Sequence, residues 1–322
     1  MQIPQYMQAN LEKVINQPES DTNLPGMFSD KGRLLKRLGN ANWRAFQALN
    51  MQFDTHLHWE TLLKAADDWK AALDGVEFPW LVWSVDEDWA YVQQKMVSDA
   101  GWTPVVGFDP RAGAPKKLTP DAILIDFNKH LQLPIVYMHL PIDFIFHFAP
   151  RMAFFHSDLI IRPDKMRWLS ELFKDLPDGE IAMTNLTKIK NPFLQKLLVR
   201  PFKLFELAGC ITRGASQDIF DKGCSMWQGW AFHPNCPDEA EFNKRLKKHW
   251  DHGAGLLYWQ KRYGGKVTII QEHFLDEGHF SRTSKDNFKV ISDNNENRNT
   301  GLDLRSNYNV YELAQAFGIK SD

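Results

Sequence analysis

At 322 residues, 43% of them hydrophobic and 24% charged, the chain is too long for a small stapled domain and too apolar for wholesale disorder. A formal net charge of -2 excludes a global basic field that would hold a nucleic-acid backbone. The 12 tryptophans and 22 phenylalanines suit either core filling or a surface that stacks sugars or bases, and composition leaves both open.

Residues 1–75 read mainly as helices, and Trp59 to Leu73 carries the clearest helical spacing. From Phe78 the pattern changes. Pro79 to Val85 is a short apolar run ending in Asp86-Glu87-Asp88, Trp89 to Ala100 has helical composition, and Gly101 stands where that helix should stop. Thr103 to Asp109 is a second apolar run ending in a carboxylate, so strand, helix and strand open an α/β unit with a parallel sheet. Leu133 to His139 is the next strand expected, and Met152 to Phe155 another. Asp164 to Leu176 is a helix with Trp168, Leu169, Leu172 and Phe173 on one face. Strands follow at Glu180 to Thr184 and Lys266 to Ile270, then an Asn-rich polar stretch and a last helix at Val310 to Phe317. Three units are expected: a helical extension over 1–75, a sheet domain over 76–290, and a linker with a short helix over 291–322.

Cys210, Cys224 and Cys236 are odd in number and lack CxxC spacing, which argues against a zinc ribbon and for a reducing compartment. The start of the chain lacks the basic and apolar regions of a signal peptide. The greasiest region, Leu133 to Phe155, is broken by three prolines and by Asp143 and Arg151, so it should not span a bilayer. A cytoplasmic protein is expected. One basic amphipathic stretch, Lys188 to Lys203, holds five cations and no acid among apolar residues. It suits peripheral contact with anionic lipid or a charged acceptor such as nucleic acid, and equally a solvated helix packed on the domain.

The chemistry concentrates at His156-Ser157-Asp158, delivered by one apolar strand and followed by a second apolar stretch and a helix. Polar residues at the carboxyl end of a sheet strand are where α/β folds place ligands. In an extended triplet, positions one and three point the same way, so His156 and Asp158 are candidates to share a cation. An imidazole with a carboxylate suits Mn²⁺, whereas Mg²⁺ prefers oxygen alone.

This segment resembles the metal-binding region of nucleotide-sugar glycosyltransferases of the GT-A fold: apolar strand, Asp-any-Asp triplet, apolar stretch, then a helix opened by Pro or an acid. The chain departs by carrying His156 where the first Asp is usual. The resemblance covers about residues 78–290, by order of elements more than by strong motifs. It implies a GT-A-like, Rossmann-related α/β fold with a mixed, mostly parallel sheet flanked by helices. It further implies transfer of a sugar from a nucleotide diphosphate, UDP above all, to a glycan, glycolipid or other hydroxyl acceptor. His156, Asp158 and the late His279 would hold Mn²⁺ or Mg²⁺. Asp86, Asp109, Arg151, Arg282 and Lys285 would meet the nucleotide, with the last two on a basic loop over the diphosphate. Trp227, Trp230 and Trp250 would offer faces to sugar, and Asp251 or Glu272 would orient the acceptor hydroxyl or take its proton.

Two other readings stay open. A sugar-binding protein or inactive relative would keep the aromatics without the chemistry. A His/Asp metal-dependent hydrolase would use the 11 histidines, although HExxH, GxSxG, GxGxxG and Walker A strings are all absent.

Overall fold

A computed structural model describes residues 4–7, 9, 59–110, 112–133, 136–186, 203–227, 230–246, 252–271, 275–280 and 309–320. Seven strands form one sheet in the order β3-β2-β1-β4-β6-β5-β7. They are β1 (Pro79–Ser84), β2 (Thr103–Phe108), β3 (Ile123–Leu124), β4 (Arg151–Phe155), β5 (Glu180–Leu186), β6 (Lys203–Thr212) and β7 (Lys266–Gln271). All pairings are parallel except those of β6, which runs antiparallel between β4 and β5. The sheet is mostly parallel, as the alternating pattern predicts, and β6 makes it mixed, which is compatible with a Rossmann-like fold.

Alternation along β1 shows why the sheet is buried on both faces. Trp80 and Val82 join one core cluster, and Leu81 and Trp83 join the other. Every residue of this strand is buried, as a parallel strand covered on both sides requires. One face is covered by α2 (Glu87–Asp99), α5 (Pro163–Lys174) and α9 (Val310–Ala316). The other lies under α1 (Trp59–Ala72), the short α3 (His139–Asp143) and α4 (Ile145–Phe148), α6 (Arg213–Asp221) and α8 (Ala254–Tyr263). A further helix, α7 (Glu239–Leu246), packs beside the 3-10 turn Trp230–Phe232.

Local chemistry sets several boundaries. Asp86 caps α2 by accepting from the amides of Asp88 and Trp89 at 3.0 and 3.1 Å. The helix ends before Gly101, which takes φ +71°. Pro163 opens α5, where its missing N–H costs nothing. Helix α1 belongs to the same core as the sheet: Trp69 meets Phe127 and Phe148 edge-on at 5.0 and 5.4 Å. The rest of the expected helical extension lies almost wholly outside the described residues.

Three expectations are corrected. Leu133–His139 forms no strand over its described residues. Val136 and Met138 are buried in the core instead, and the chain enters α3 at His139. Trp168 is 44% exposed rather than packed, since α5 turns Met166, Leu169 and Phe173 inward. The longest strand, β6, is not among the strands expected from the sequence; only its first residue, Lys203, falls in a segment singled out there, the basic stretch. Trp69, Trp80, Trp83 and Trp89, on helices and β1, and Trp102, just before β2, are core residues. No described helix is long and apolar enough to cross a membrane.

Candidate metal centre

The carboxyl ends of β1, β2 and β4 share one edge of the sheet. The strand order reverses between β1 and β4, since β1 leads outward to β2 and β4 leads the other way to β5. His156 continues β4 by one rung, its amide donating to the Leu207 carbonyl at 3.0 Å. The chain then turns, with Leu159 N–H donating to the His156 carbonyl at 3.2 Å. The triplet is therefore a turn and not the extended segment expected, and the turn brings His156 and Asp158 to one side. Gln93, fully buried on α2, fastens this turn by donating to the His156 and Leu159 carbonyls at 2.9 and 3.0 Å.

His279 arrives from far along the chain because its segment pairs with the turn. Ile160 N–H donates to the Gly278 carbonyl at 2.9 Å, and Phe280 N–H to the Asp158 carbonyl at 3.0 Å. Only glycine fits at 278, for a Cβ there would stand 1.7 Å from the Ile160 carbonyl oxygen. Nδ1 of His156 lies 3.4 Å and Nε2 of His279 3.6 Å from Oδ1 of Asp158. These are long for hydrogen bonds, but ligands bound at about 2.1 Å around one ion stand about 3–3.5 Å apart. The ligand atoms of His156, Asp158 and His279 all lie within 4.8 Å of one another. The donor set fits a divalent ion, and its two imidazoles favour Mn²⁺ or another borderline ion over Mg²⁺.

Behind this set lies a residue that sequence reasoning missed. Glu206 sits where β6 bulges against β5: Met183 pairs with Gly209, yet Thr184 pairs with Phe205. Bulges re-aim side chains, and here Glu206 reaches three imidazoles. Its Oε1 meets Nε2 of His156 at 3.1 Å and also Nδ1 of His252, while Oε2 meets Nε2 of His139 at 2.8 Å. A neutral His156 that donates Nε2–H to Glu206 presents the Nδ1 lone pair toward Asp158. Two acceptors would then face each other unless a proton or a cation lies between them. This is the carboxylate–histidine–metal relation in which an outer carboxylate fixes the tautomer of a ligand.

Electrostatics follow the same logic. Burial works against a charge on His156, but the nearby Asp158 and Glu206 carboxylates outweigh it and raise the pKa to about 9. Without a cation, His156 is protonated at neutral pH, and proton and metal compete for one lone pair. Burial alone would raise the Glu206 carboxyl; the neighbouring His252 and His139, with hydrogen bonds from His139 and His156, hold it well below the usual range. Fully buried His139 goes the other way, pushed down to about 4 by burial and by His252.

The remaining predicted residues divide. Asp86 is the cap of α2, and Asp109 is buried at the end of β2, both on the metal-centre edge. Arg151 begins β4 at the opposite edge, where its guanidinium donates to the Phe173 and Lys174 carbonyls at 2.5 and 2.8 Å. It is not brought to the metal centre. Trp227 is buried, and its ring stacks on His252 at 5.3 Å. Trp230 is buried between Tyr258 and Arg245. Neither ring offers an open face for sugar, which corrects that reading. Trp250, Asp251, Glu272, Arg282, Lys285 and nearly all of Lys188 to Lys203 lie outside the described residues.

The three cysteines are free and buried, and burial pushes their thiols up to about 12, 12 and 11 at Cys210, Cys224 and Cys236. They are not nucleophiles. No family model, curated protein or solved structure matches the chain.

Proposed function

We propose that the protein is a metal-dependent glycosyltransferase acting on a nucleotide-diphosphate sugar, with a GT-A-like arrangement of its sheet. The observation that carries this reading is the convergence of His156, Asp158 and His279, from distant segments, beside the carboxyl ends of β1 and β4. A bound divalent ion would supply Lewis-acid stabilisation of the diphosphate leaving group. Asp158 gives that site its negative charge, and His156 and His279 tune it toward a borderline ion. Glu206 holds His156 in the tautomer that presents Nδ1, and Gln93 holds the turn on which both donors sit. Asp86 and Asp109 flank the nucleotide side of the same edge. Roles for Asp251 or Glu272 at the acceptor, and for Arg282 and Lys285 at the diphosphate, remain part of the proposal on the strength of the sequence resemblance. The acceptor class is a glycan, glycolipid or other hydroxyl compound. Contact with a membrane through the Lys188 to Lys203 stretch belongs to the same proposal.

The test is donor turnover with UDP-sugars and Mn²⁺. Asp158→Ala should lower transfer by at least about 10²-fold while the fold persists. Near-normal transfer by this variant would remove the assignment. A second reading, a metal-dependent hydrolase, draws support from the additional His/Glu cluster around Glu206. Release of free sugar at the same rate with and without acceptor would favour it. A purely sugar-binding protein is disfavoured by the burial of Trp227 and Trp230.

A further inference from the structure

His139, Glu206 and His252 form a second set of potential ligands within 4.8 Å of one another, sharing no residue with the first. Three features of the set point to an occupant. The rings of His139 and His252 stand 4.1 Å apart, centroid to centroid, at 39°. That is closer than aromatic packing prefers, about 4.5–7 Å, and suits two rings directed at one point.

The tautomers of His139 are the second feature. With Nε2–H donated to Glu206, Nδ1 is a buried acceptor that makes no hydrogen bond among the described residues. With the proton on Nδ1 instead, the Nε2 lone pair faces a carboxylate oxygen at 2.8 Å, and the Nδ1–H is unmatched. Neither neutral form is satisfied, and buried polar atoms are rarely left so. A cation shared by Nε2 and Glu206 removes the clash of the second form, leaving Nδ1–H as the ring's one unmatched atom among the described residues.

Third, the backbone is built to bring His252 in. Gly253 takes φ +75°, its amide donates to the Met226 carbonyl at 2.8 Å, and a Cβ there would stand 2.0 Å from the Leu204 carbonyl oxygen. Only glycine lets this chain lie against β6 two residues from Glu206. Trp227 stacks on His252 and Tyr137 on Trp227, each at 5.3 Å, and these rings wall the cluster. The His252 side chain keeps 20% of its surface exposed, which leaves an entry path.

We infer that His139, Glu206 and His252 are a second cation site, separate from that of Asp158, taking Zn²⁺ or a similar borderline ion. Two imidazoles and one carboxylate are a donor set that zinc uses with a coordination position left for water or substrate. Glu206 then stands between the two sites, as a ligand of one and the orienting partner of His156 in the other.

Metal content of the full chain, equilibrated with Zn²⁺ and dialysed, tests this. Wild type should hold two equivalents, and Asp158→Asn and His252→Gln one each. His252→Asp, which restores a donor, should recover the second equivalent. A thermal melt of each variant checks the fold. A wild-type chain holding a single equivalent that Asp158→Asn removes would leave the first site standing and overturn the second. So would two equivalents retained by His252→Gln, or none in wild type.

Discussion

Two buried charged clusters, one around Arg245 and one around Glu206, solve the same physical problem differently. Arg245 is fully buried on α7. Its Nη1 donates to the Gly223 carbonyl, and Nη2 to the Lys222 carbonyl at 2.9 Å and to the Tyr263 hydroxyl at 3.1 Å. Nε lies 3.4 Å from Glu241, one turn earlier on the same helix, and the guanidinium packs over Trp230 and Tyr258. Glu241 in turn accepts from the Tyr258 hydroxyl at 2.6 Å. Cation, anion and donors are matched by local partners, which is how a structural ion pair stays inside a protein. Glu206 gathers three imidazoles instead, and His139 cannot be satisfied in either neutral form. On the proposed reading the Glu206 cluster is organised to bind a cation, whereas the Arg245 cluster, complete in itself, is organised for folding.

The largest expected effect separates the two. Arg245→Met leaves Glu241 and two carbonyls without their partner, and should lower stability by about 3–5 kcal/mol in chemical denaturation. Metal uptake per folded molecule should not change. Glu206→Gln should do the reverse: it removes a buried charge, keeps the shape, and lowers metal affinity about 10- to 100-fold by calorimetric titration. Stability should fall by less than in Arg245→Met, because a protonated His156 keeps Asp158 as a partner. If the arginine variant lost metal and the glutamine variant unfolded, the two clusters would have exchanged roles and the comparison would be wrong.

Gly278→Ala is a smaller, more local perturbation. The added methyl meets the Ile160 carbonyl, so the rung between Leu159 and His279 must open. His279 then moves away from Asp158. Mn²⁺ affinity should fall at least about tenfold, with a stability loss of about 1–3 kcal/mol. Retention of full affinity would show that His279 is not a ligand.

The same contrast explains what was legible in the sequence. Glu241 and Arg245 are an i,i+4 pair on one helix, a spacing that any sequence displays. Strand-end carboxylates such as Asp86 and Asp109, and the triplet after β4, were visible because apolar runs announce strands. Linking His279 to that triplet rested on the resemblance alone, and the structure brings them together through the bridge at Leu159. Glu206 was not legible. It lies inside a strand whose neighbours are Phe205 and Leu207, and its partners come from positions 139, 156 and 252, each on a separate segment. A buried acid in an apolar strand was the available clue, but a bulge, not a period-two pattern, turns its side chain inward. The tryptophans misled for a related reason. Trp227 and Trp230 sit in a segment that reads as an open surface, yet both rings are buried, and Gly255 at the start of α8 lets that helix close on Trp230. The Cβ that Gly255 lacks would stand 2.8 Å from Cβ of Trp230.

The smallest effect is the pH dependence of stability in the presence of a chelator. Glu206 and Glu241 both have carboxyl groups held below their ordinary range. Their contributions are present above the unfolded-chain pKa and disappear as pH falls through the folded one, so both clusters weaken in acid. His156 is raised to about 9 from an ordinary 6.5. Its contribution is complete below 6.5 and is lost as pH rises through 9, at no more than about 1.4 kcal/mol per pH unit. The decline between 6.5 and 9 therefore belongs to the Glu206 cluster, whereas the raised thiols Cys224 and Cys236 beside Arg245 lose their contribution only as pH rises from about 9. Denaturation midpoints for wild type should decline across that window, and His156→Asn should flatten the decline while changing the acid limb less, since His252 and His139 contribute more to holding Glu206 down. Glu241→Gln should do the opposite, softening the acid limb only. A decline that survives in His156→Asn would mean that another group titrates there and that His156 is already neutral without metal. Its Nδ1 would then face Asp158 with neither proton nor cation between them, an arrangement the 3.4 Å separation makes unfavourable.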